Sequence, residues 1–190
     1  MNLDIITPSN VKMILNKIKE NKHEAVIVGG CVRDSIMEYM PHDWDIATSA
    51  QPTEIIEMFK DFRIMTAGLK HGTVTIIIDH EPYEITTYRI DGKYTDYRRP
   101  DTVSYTRNLA EDLLRRDFTI NAIAYDGENI IDLHNGVDDI KNKIIRCVGN
   151  PDDRFREDPL RILRALRFAV RFKFKIEEST ATAMRKHMGL

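Results

Sequence analysis

The stretch DWDIAT places two aspartates, Asp43 and Asp45, two residues apart and shortly after a glycine pair and Arg33. Alternate residues of a β-strand project to the same face, so a strand here would hold both carboxylates side by side. Two neighbouring carboxylates repel each other unless a cation lies between them, and oxygen ligands suit Mg²⁺. The spacing therefore predicts Asp43 and Asp45 as magnesium ligands, although such a pair taken alone is more often two solvent-facing acids.

The glycine pair Gly29-Gly30 and Arg33 have the properties of a phosphate site. Glycine lets the backbone approach an anion closely, exposed N–H groups bind oxygens, and a guanidinium adds a forked donor. The alternative is a glycine-rich connection between a strand and a helix that carries a surface arginine. The residues alone leave both interpretations open.

The motif RRDFTINA forms a second cluster of polar residues where a predicted helix passes into an apolar strand. Either Arg115 or Arg116 suits a phosphate, while Asp117 and Asn121 suit ribose hydroxyls. The alternative is a salt bridge at Asp117 and a turn at Asn121, which we would prefer if the motif stood alone.

The motif EDPLRILRALRF is typical of an amphipathic helix, in which each residue advances by about 100°. The face that we predict to be buried is apolar and consists of Ile162, Leu163, Leu166, Ala169 and Val170. The opposite face, the arginine ridge, consists of Arg161, Arg164, Arg167 and Arg171. Four arginines without an intervening acid favour bound anions over a solvated face. Asp158 beside Arg161 would offer an acceptor and a donor to the edge of a base.

The composition limits the class of protein. The chain has 190 residues, 42% hydrophobic and 31% charged, which is typical of a folded globular protein with no run long enough to span a bilayer. Its net charge of −2 argues against a uniformly basic nucleic-acid binder, although residues 151–175 hold eight Lys/Arg against four acids. Two cysteines form no disulfide framework, so we expect a cytoplasmic protein.

The hydrophobic pattern predicts a mixed α and β region followed by helices. We predict a helix at about 9–21 with Ser9 as its cap, a strand at 24–28 and a helix at 31–40. A strand in DWDIAT, a helix beginning at Pro52 and three β-rich runs follow, the last two joined by a hairpin turn at DHEP. Residues 91–100 are typical of a loop. From Asp152 onward we expect only helices.

Together, GGCVRD with DWDIAT, RRDFTINA and EDPLR resemble, in this order, motifs of the class II tRNA nucleotidyltransferase and bacterial poly(A) polymerase family over residues 24–170. The stretch DLHNGVDDIKNKIIR resembles the family's hinge motif. This resemblance implies an α+β fold: a polymerase β-like head at residues 1–148, with a mixed, mainly antiparallel sheet flanked by helices. The start of an all-helical neck would follow at 149–190, and we expect the body and tail helices to lie outside this chain.

The resemblance also implies roles for individual residues. It assigns Mg²⁺ binding to Asp43 and Asp45, with Glu84 as a third active-site carboxylate. Ribose selection falls to Asp117, and base reading to Asp158 with Arg161. The remaining nucleotide contacts would be Gly30, Arg33, Arg116, Arg164 and Arg167.

The implied reaction is template-independent, Mg²⁺-dependent transfer of nucleotides from CTP and ATP to the 3′ end of tRNA. The stretches LKHGTVT and DGKYTDYRRP resemble CCA-adding enzymes more than poly(A) polymerases. An enzyme that adds only A, a poly(A) polymerase, and a non-catalytic nucleotide- or RNA-binding fragment are the alternatives. We expect no membrane partner, and the sequence does not indicate an oligomeric state.

Overall fold

The structure is a computed structural model that describes residues 5–96, 98 and 100–189. The strands are β1 (Ala25–Val28), β2 (Asp45–Thr48), β3 (Arg63–Met65), β4 (Thr73–Ile78), β5 (Glu81–Thr87), β6 (Arg89–Asp91), β7 (Val103–Tyr105), β8 (Ile123–Tyr125), β9 (Ile130–Asp132), β10 (Ile144–Ile145) and β11 (Lys175–Ile176). The α-helices are α1 (Ser9–Glu20), α2 (Gly30–Ile36), α3 (Pro52–Met58), α4 (Leu109–Leu114), α5 (Gly136–Asn142), α6 (Pro151–Glu157), α7 (Leu160–Phe172) and α8 (Glu178–His187). Short 3₁₀ helices lie at Leu69–His71 and Thr119–Asn121. None of the described helices combines the length and the apolar character that a membrane span requires.

The main sheet has the strand order β3-β4-β5-β2-β1-β8-β9. The neighbours β2 and β5 run parallel, while the other adjacent strands of this sheet are antiparallel. The expected α+β fold with a mixed, mainly antiparallel sheet flanked by helices is therefore confirmed. Outside this sheet, β6 and β7 form a hairpin around the predicted loop, of which residues 97 and 99 lie outside the described residues.

Strand β1 is fully buried because helices cover both faces of the sheet. On one face Ala25 and Ile27 join the main core with the buried stripe of α1, which recurs at helical spacing: Val11, Ile14, Leu15 and Ile18. On the other face Val26 and Val28 join a smaller core with Leu113 of α4. The strand ends that carry the polar residues are therefore held in place by a packed hydrophobic layer on each face of the sheet.

Local signals in the sequence fix several of the turns. Helix α3 begins at Pro52, as predicted, and Gln51 caps it in a reciprocal capping box with Glu54. The hairpin between β4 and β5 turns through Asp79 and His80, whose φ angles are 53° and 67°. The predicted cap at Ser9 is wrong, because α1 already begins at Ser9 and no side chain caps it.

The C-terminal part is mostly helical, as expected from Asp152 onward. The exception is β11, which pairs in parallel with β10. Lys173 ends α7 in the left-handed conformation, with φ at 56°, and this reversal returns the chain to the side of β10. The division into a head at 1–148 and the start of a neck at 149–190 remains a prediction.

Helix α7 buries a different face from the one that the apolar pattern predicts. Its buried residues are Arg161, Ile162, Ala165, Phe168 and Phe172. Leu163 and Val170, which we expected in the core, are 62% and 79% exposed. The reason is aromatic packing: Phe168 meets Phe118 edge to face at 5.9 Å and stacks on Phe172 at 5.7 Å. With these rings packed inwards, Arg161 is the one arginine of the predicted ridge that is buried.

Candidate active site

A cavity of about 630 Å³ lies where the turn after β1, the start of β2, the 115–121 segment and the junction between α6 and α7 meet. It brings together most of the site residues predicted from the sequence: Gly30, Arg33, Asp45, Arg116, Asp117, Asn121, Asp158, Arg161 and Arg164. Asp43, Glu84 and Arg167 do not line it. Segments that are far apart in the chain therefore contribute to one polar cavity.

The turn between β1 and α2 requires glycine at its first position. Gly29 has a φ of 84°, a conformation that side chains with a Cβ disfavour. A Cβ there would lie 3.2 Å from Nη1 of Arg116 and 3.9 Å from Oδ2 of Asp45. The sequence predicts a role for the pair Gly29-Gly30 and the resemblance assigns the contact to Gly30, but Gly29 is the residue whose missing side chain lets the arginine and the carboxylate approach the turn.

Asp45 is the first residue of β2, so Asp43 precedes the strand and is exposed. The argument that alternate strand residues share a face therefore does not apply to this pair. The two carboxylates still interact: burial raises the pKa of Asp45, Arg116 opposes this rise, and Asp43 adds to it. Asp45 keeps contact with solvent through the cavity, yet the surrounding protein atoms remove enough water to disfavour its charge.

Glu84 lies beside Asp45 in the sheet, since the parallel register of β2 and β5 pairs these two residues. Its side chain is exposed. Within the described part of the chain, no three His, Cys, Asp or Glu side chains are grouped so as to hold a metal ion. The roles predicted for Asp43, Asp45 and Glu84 therefore remain predictions.

Arg33 is buried, with 5% exposure, so the alternative of a surface arginine is wrong. Its guanidinium donates to Oδ1 of Asp34, at 2.8 Å from Nε, and to Oδ1 of Asn121. It also lies over the rings of Phe168 and Phe172, 5.2 and 4.8 Å from their centroids. Arg33 therefore lines the cavity and at the same time joins α2 to α7.

Asp117 is the centre of a second set of contacts between the 115–121 segment and α7. Its Oδ1 accepts hydrogen bonds from the Phe118 amide at 2.8 Å and from Nδ2 of Asn121 at 3.0 Å. Its Oδ2 accepts from Arg164, at 2.8 Å from Nε and 2.7 Å from Nη2. The salt bridge that we considered as the alternative to a ligand contact is therefore present. Asp117 also lines the cavity.

Asp158 lies between α6 and α7, and its Oδ1 accepts a hydrogen bond from the Leu160 amide at 2.9 Å. Arg161 is buried, with 7% exposure, whereas we predicted it on the face of α7 opposite the buried one. Its Nη1 donates to Oε2 of Glu157 at 2.8 Å and its Nη2 to the carbonyl of Arg115 at 3.2 Å. These bonds fix the guanidinium at the cavity wall.

The arginine ridge is therefore divided between two environments. Arg161 and Arg164 line the cavity, whereas Arg167 is exposed and away from it. Arg171 is exposed as well, with its guanidinium 5.2 Å from the centroid of the Phe172 ring. Half of the predicted anion-binding face thus belongs to the cavity.

Several lining residues were missed by the sequence reasoning: His71, Arg89, Asp91, Tyr94, Arg98 and Phe168. The Tyr94 hydroxyl donates to Oδ2 of Asp91 at 2.8 Å, which links the loop after β6 to the last residue of that strand. The alternating acids and bases of residues 91–100 were a usable signal for this part. No signal in the sequence marked Phe168 as a cavity residue, because an aromatic residue in an amphipathic helix is usually part of the core.

Comparison with known proteins agrees with this geometry. The family model described as the poly A polymerase head domain matches residues 25–146. The CCA-adding enzyme of Oceanobacillus iheyensis is 52% identical over 172 residues, which cover 90% of this chain and 42% of that protein. The chain belongs to the poly(A) polymerase and CCA-adding enzyme family. The CCA-adding enzyme of Enterococcus faecalis is 50% identical over the same shares of the two chains.

Solved structures of CCA-adding enzymes have the same fold as this member of the family. The Bacillus stearothermophilus enzyme in complex with CTP is 37% identical with a TM-score of 0.87, over 97% of this chain and 45% of that one. The Thermotoga maritima enzyme complexed with tRNA is 27% identical with a TM-score of 0.80, over 98% and 44%. This chain thus spans less than half the length of the CCA-adding enzymes that it matches.

Proposed function

We propose that this protein adds nucleotides from CTP and ATP to the 3′ end of tRNA, forming CCA without a template. The observation that carries the proposal is the shared cavity, in which Asp45, Arg116, Asp117 and Asp158 converge from separate elements. Relatives at about half sequence identity are named CCA-adding enzymes, and similar structures hold CTP or tRNA. Free, buried Cys31 and Cys147 support a cytoplasmic location.

The residues around Asp45 fit a magnesium ion. Mg²⁺ is held in proteins by one or two carboxylates together with water and substrate phosphates, and Asp45 and Asp43 offer that donor set. Burial raises the pKa of Asp45 and Asp43 raises it further, although Arg116 opposes the rise, so a bound cation would favour the ionised form of this carboxylate. When bound, the metal would lower the pKa of the attacking hydroxyl and neutralise the triphosphate. We propose Glu84 as a third carboxylate because it neighbours Asp45 in the sheet.

The residues of the chain would position the substrates for in-line attack of the tRNA 3′-hydroxyl on the α-phosphate. The Gly29-Gly30 turn and the guanidinium of Arg116 lie on the side of the cavity near Asp45, where the triphosphate would lie. Asp117 would accept from a ribose hydroxyl. Pyrophosphate leaves as the new phosphodiester bond forms, and no covalent intermediate with the enzyme is required.

Asp158 and Arg161 would read the base. A carboxylate accepts equally from N4 of cytosine and N6 of adenine, while a guanidinium donates to the neighbouring ring nitrogen. Uracil and guanine place a carbonyl where the amino group is needed, so an acceptor would face an acceptor. Each such unpaired buried group costs roughly 1–3 kcal/mol. The bonds that hold Arg161 to Glu157 keep its orientation fixed in the absence of a base.

The test uses a tRNA that ends before CCA, incubated with Mg²⁺ and CTP alone, ATP alone or both. We would assay the 190-residue chain and a chimera in which it replaces the matching region of the Oceanobacillus iheyensis enzyme. CTP alone should add two C residues, and both nucleotides should complete CCA. Asp45→Asn should abolish transfer, whereas the exposed control Asp153→Asn should not. A chimera that folds but adds nothing would contradict the proposal, and addition of A alone would favour an A-adding enzyme.

Glu84 is tested in the same assay. Glu84→Gln should lower the turnover number, while Glu81→Gln, an exposed glutamate on the same strand, should leave it unchanged. Equal turnover of both variants would remove Glu84 from the site.

A further inference from the structure

Asp112 lies behind the wall of the cavity and does not line it. It belongs to α4 and is 1% exposed, one of the most buried charged groups described in this chain. Its Oδ1 accepts from Arg115, at 3.0 Å from Nε and 2.8 Å from Nη2. Its Oδ2 accepts from Nη2 of Arg116 at 3.1 Å. One buried carboxylate therefore holds two successive arginines that both line the cavity.

The two arginines leave Asp112 in different directions. Arg116 reaches the turn after β1, where its Nη1 lies 3.2 Å from the position of a Cβ on Gly29. Its buried Nε has no hydrogen-bond partner among the described residues. Arg115 approaches Asp91 at 3.8 Å, and Asp91 accepts from Tyr94 of the following loop. Asp112 therefore holds both arginines, which reach opposite ends of the cavity wall.

Asp112 holds the two arginines as an ionised carboxylate. Burial alone would raise the pKa of Asp112, but Arg116 and Arg115 outweigh burial and hold it below its usual value. Long arginine side chains lose considerable freedom when they are fixed on a ligand. An arginine that is already fixed by the protein loses less, so a nucleotide binds it more tightly.

We propose that Asp112 is a positioning residue that orients Arg115 and Arg116 towards the nucleotide before it binds. The assignment of a nucleotide as the ligand rests on the proposed function. The orientation of the two guanidinium groups does not, and it is measurable without any ligand.

The experiment compares wild-type chain, Asp112→Asn and Asp153→Asn. Asp153 is a matched control because it also pairs with an arginine three residues later, Arg156, but on the exposed surface at 3.6 Å. Circular dichroism and thermal unfolding establish that each variant folds. Isothermal calorimetry then gives the Kd for CTP with Mg²⁺, and NMR records the arginine Nε–Hε signals without nucleotide.

We expect Asp112→Asn to raise the Kd for CTP about tenfold, because two side chains must now be ordered on binding. The Nε–Hε signals of Arg115 and Arg116 should lose their protection from solvent exchange, while Asp153→Asn leaves both measurements unchanged. Unchanged arginine signals in Asp112→Asn, or an unchanged Kd, would overturn the proposal.

The experiment also covers two further outcomes, namely that the wild-type chain does not bind CTP or that Asp112→Asn does not fold. If the wild-type chain does not bind CTP, the proposed function fails for this chain and the NMR comparison alone decides the role of Asp112. If Asp112→Asn does not fold, the comparison is repeated in the Arg115→Gln background, which removes one of the two partly buried positive charges. Arg115→Gln with and without Asp112→Asn should then differ in the protection of Arg116, and equal protection would overturn the proposal.

Discussion

Replacing Phe168 with leucine tests whether aromatic packing of α7 holds the two halves of the cavity together. Phe168 contacts Phe118 and Phe172 and lies beneath two arginines, with Arg33 at 5.2 Å and Arg164 at 5.3 Å from its ring centroid. Leucine keeps most of the buried apolar area but removes every interaction that depends on the ring. The variant therefore isolates the aromatic contribution from simple burial.

The expected loss follows from these contacts. Each aromatic pair contributes about 0.5–1.5 kcal/mol beyond burial. Each cation–π contact adds about 0.5–1 kcal/mol. Two of each give a decrease of about 2–5 kcal/mol in the free energy of unfolding, a loss that most domains, with about 5–15 kcal/mol of stability, tolerate.

Urea unfolding followed by circular dichroism measures this change. Val170→Ala is the control on the same helix, because Val170 is largely exposed and should change the free energy of unfolding by less than about 0.5 kcal/mol. The CTP affinity of the leucine variant should also fall, since Arg33 and Arg164 lose their common support. A decrease below about 0.5 kcal/mol for Phe168→Leu would refute the view that these rings determine which face of α7 is buried.

Three other changes test separate parts of the site and its supports. Gly29→Ala places a side chain at a φ of 84° and against Arg116, so we expect about 1–3 kcal/mol less stability and weaker CTP binding, with Gly189→Ala as a silent control. Burial would raise the pKa of Glu177, but its hydrogen bonds at the start of α8 lower it to about 2. Glu177→Ala should therefore cost about 1 kcal/mol in urea unfolding above pH 4.5, and the difference from wild type should shrink as the pH falls towards 2. Asp158→Ala should lower kcat/KM for CTP and narrow the preference for CTP over UTP, and an unchanged preference would show that Asp158 does not read the base.

The parts of the site that the sequence predicts well are those fixed by local geometry. The glycine turn after β1 and the start of β2 depend on neighbouring residues, so their position could be read from the motif. The same holds for the RRDFTINA segment, where helix, 3₁₀ turn and strand follow each other within a few residues. In each case the polar residues lie at one end of an apolar strand, where the spacing of hydrophobic residues along the sequence changes.

The parts that the sequence does not predict depend on contacts between distant segments. The apolar pattern of α7 describes the helix alone, and the helix has apolar residues on more than one side. Its buried face is set by Phe118 and Arg33, which lie on other elements. The burial of Arg33 and Arg161 has the same origin, since each is compensated by rings or acceptors that only the folded chain brings near.

The distribution of charge around the cavity explains how a chain with a net charge of −2 forms a site suited to a polyanion. Among the described residues, seven arginines but only four aspartates line the cavity. Asp34, Asp112 and Glu157 neutralise lining arginines from positions behind the wall. Their carboxylates hold the guanidinium groups in place without lining the cavity themselves, so the lining carries more arginines than aspartates. Composition counts the lining charges and the charges behind them equally, whereas the proposed nucleotide would contact the lining charges alone.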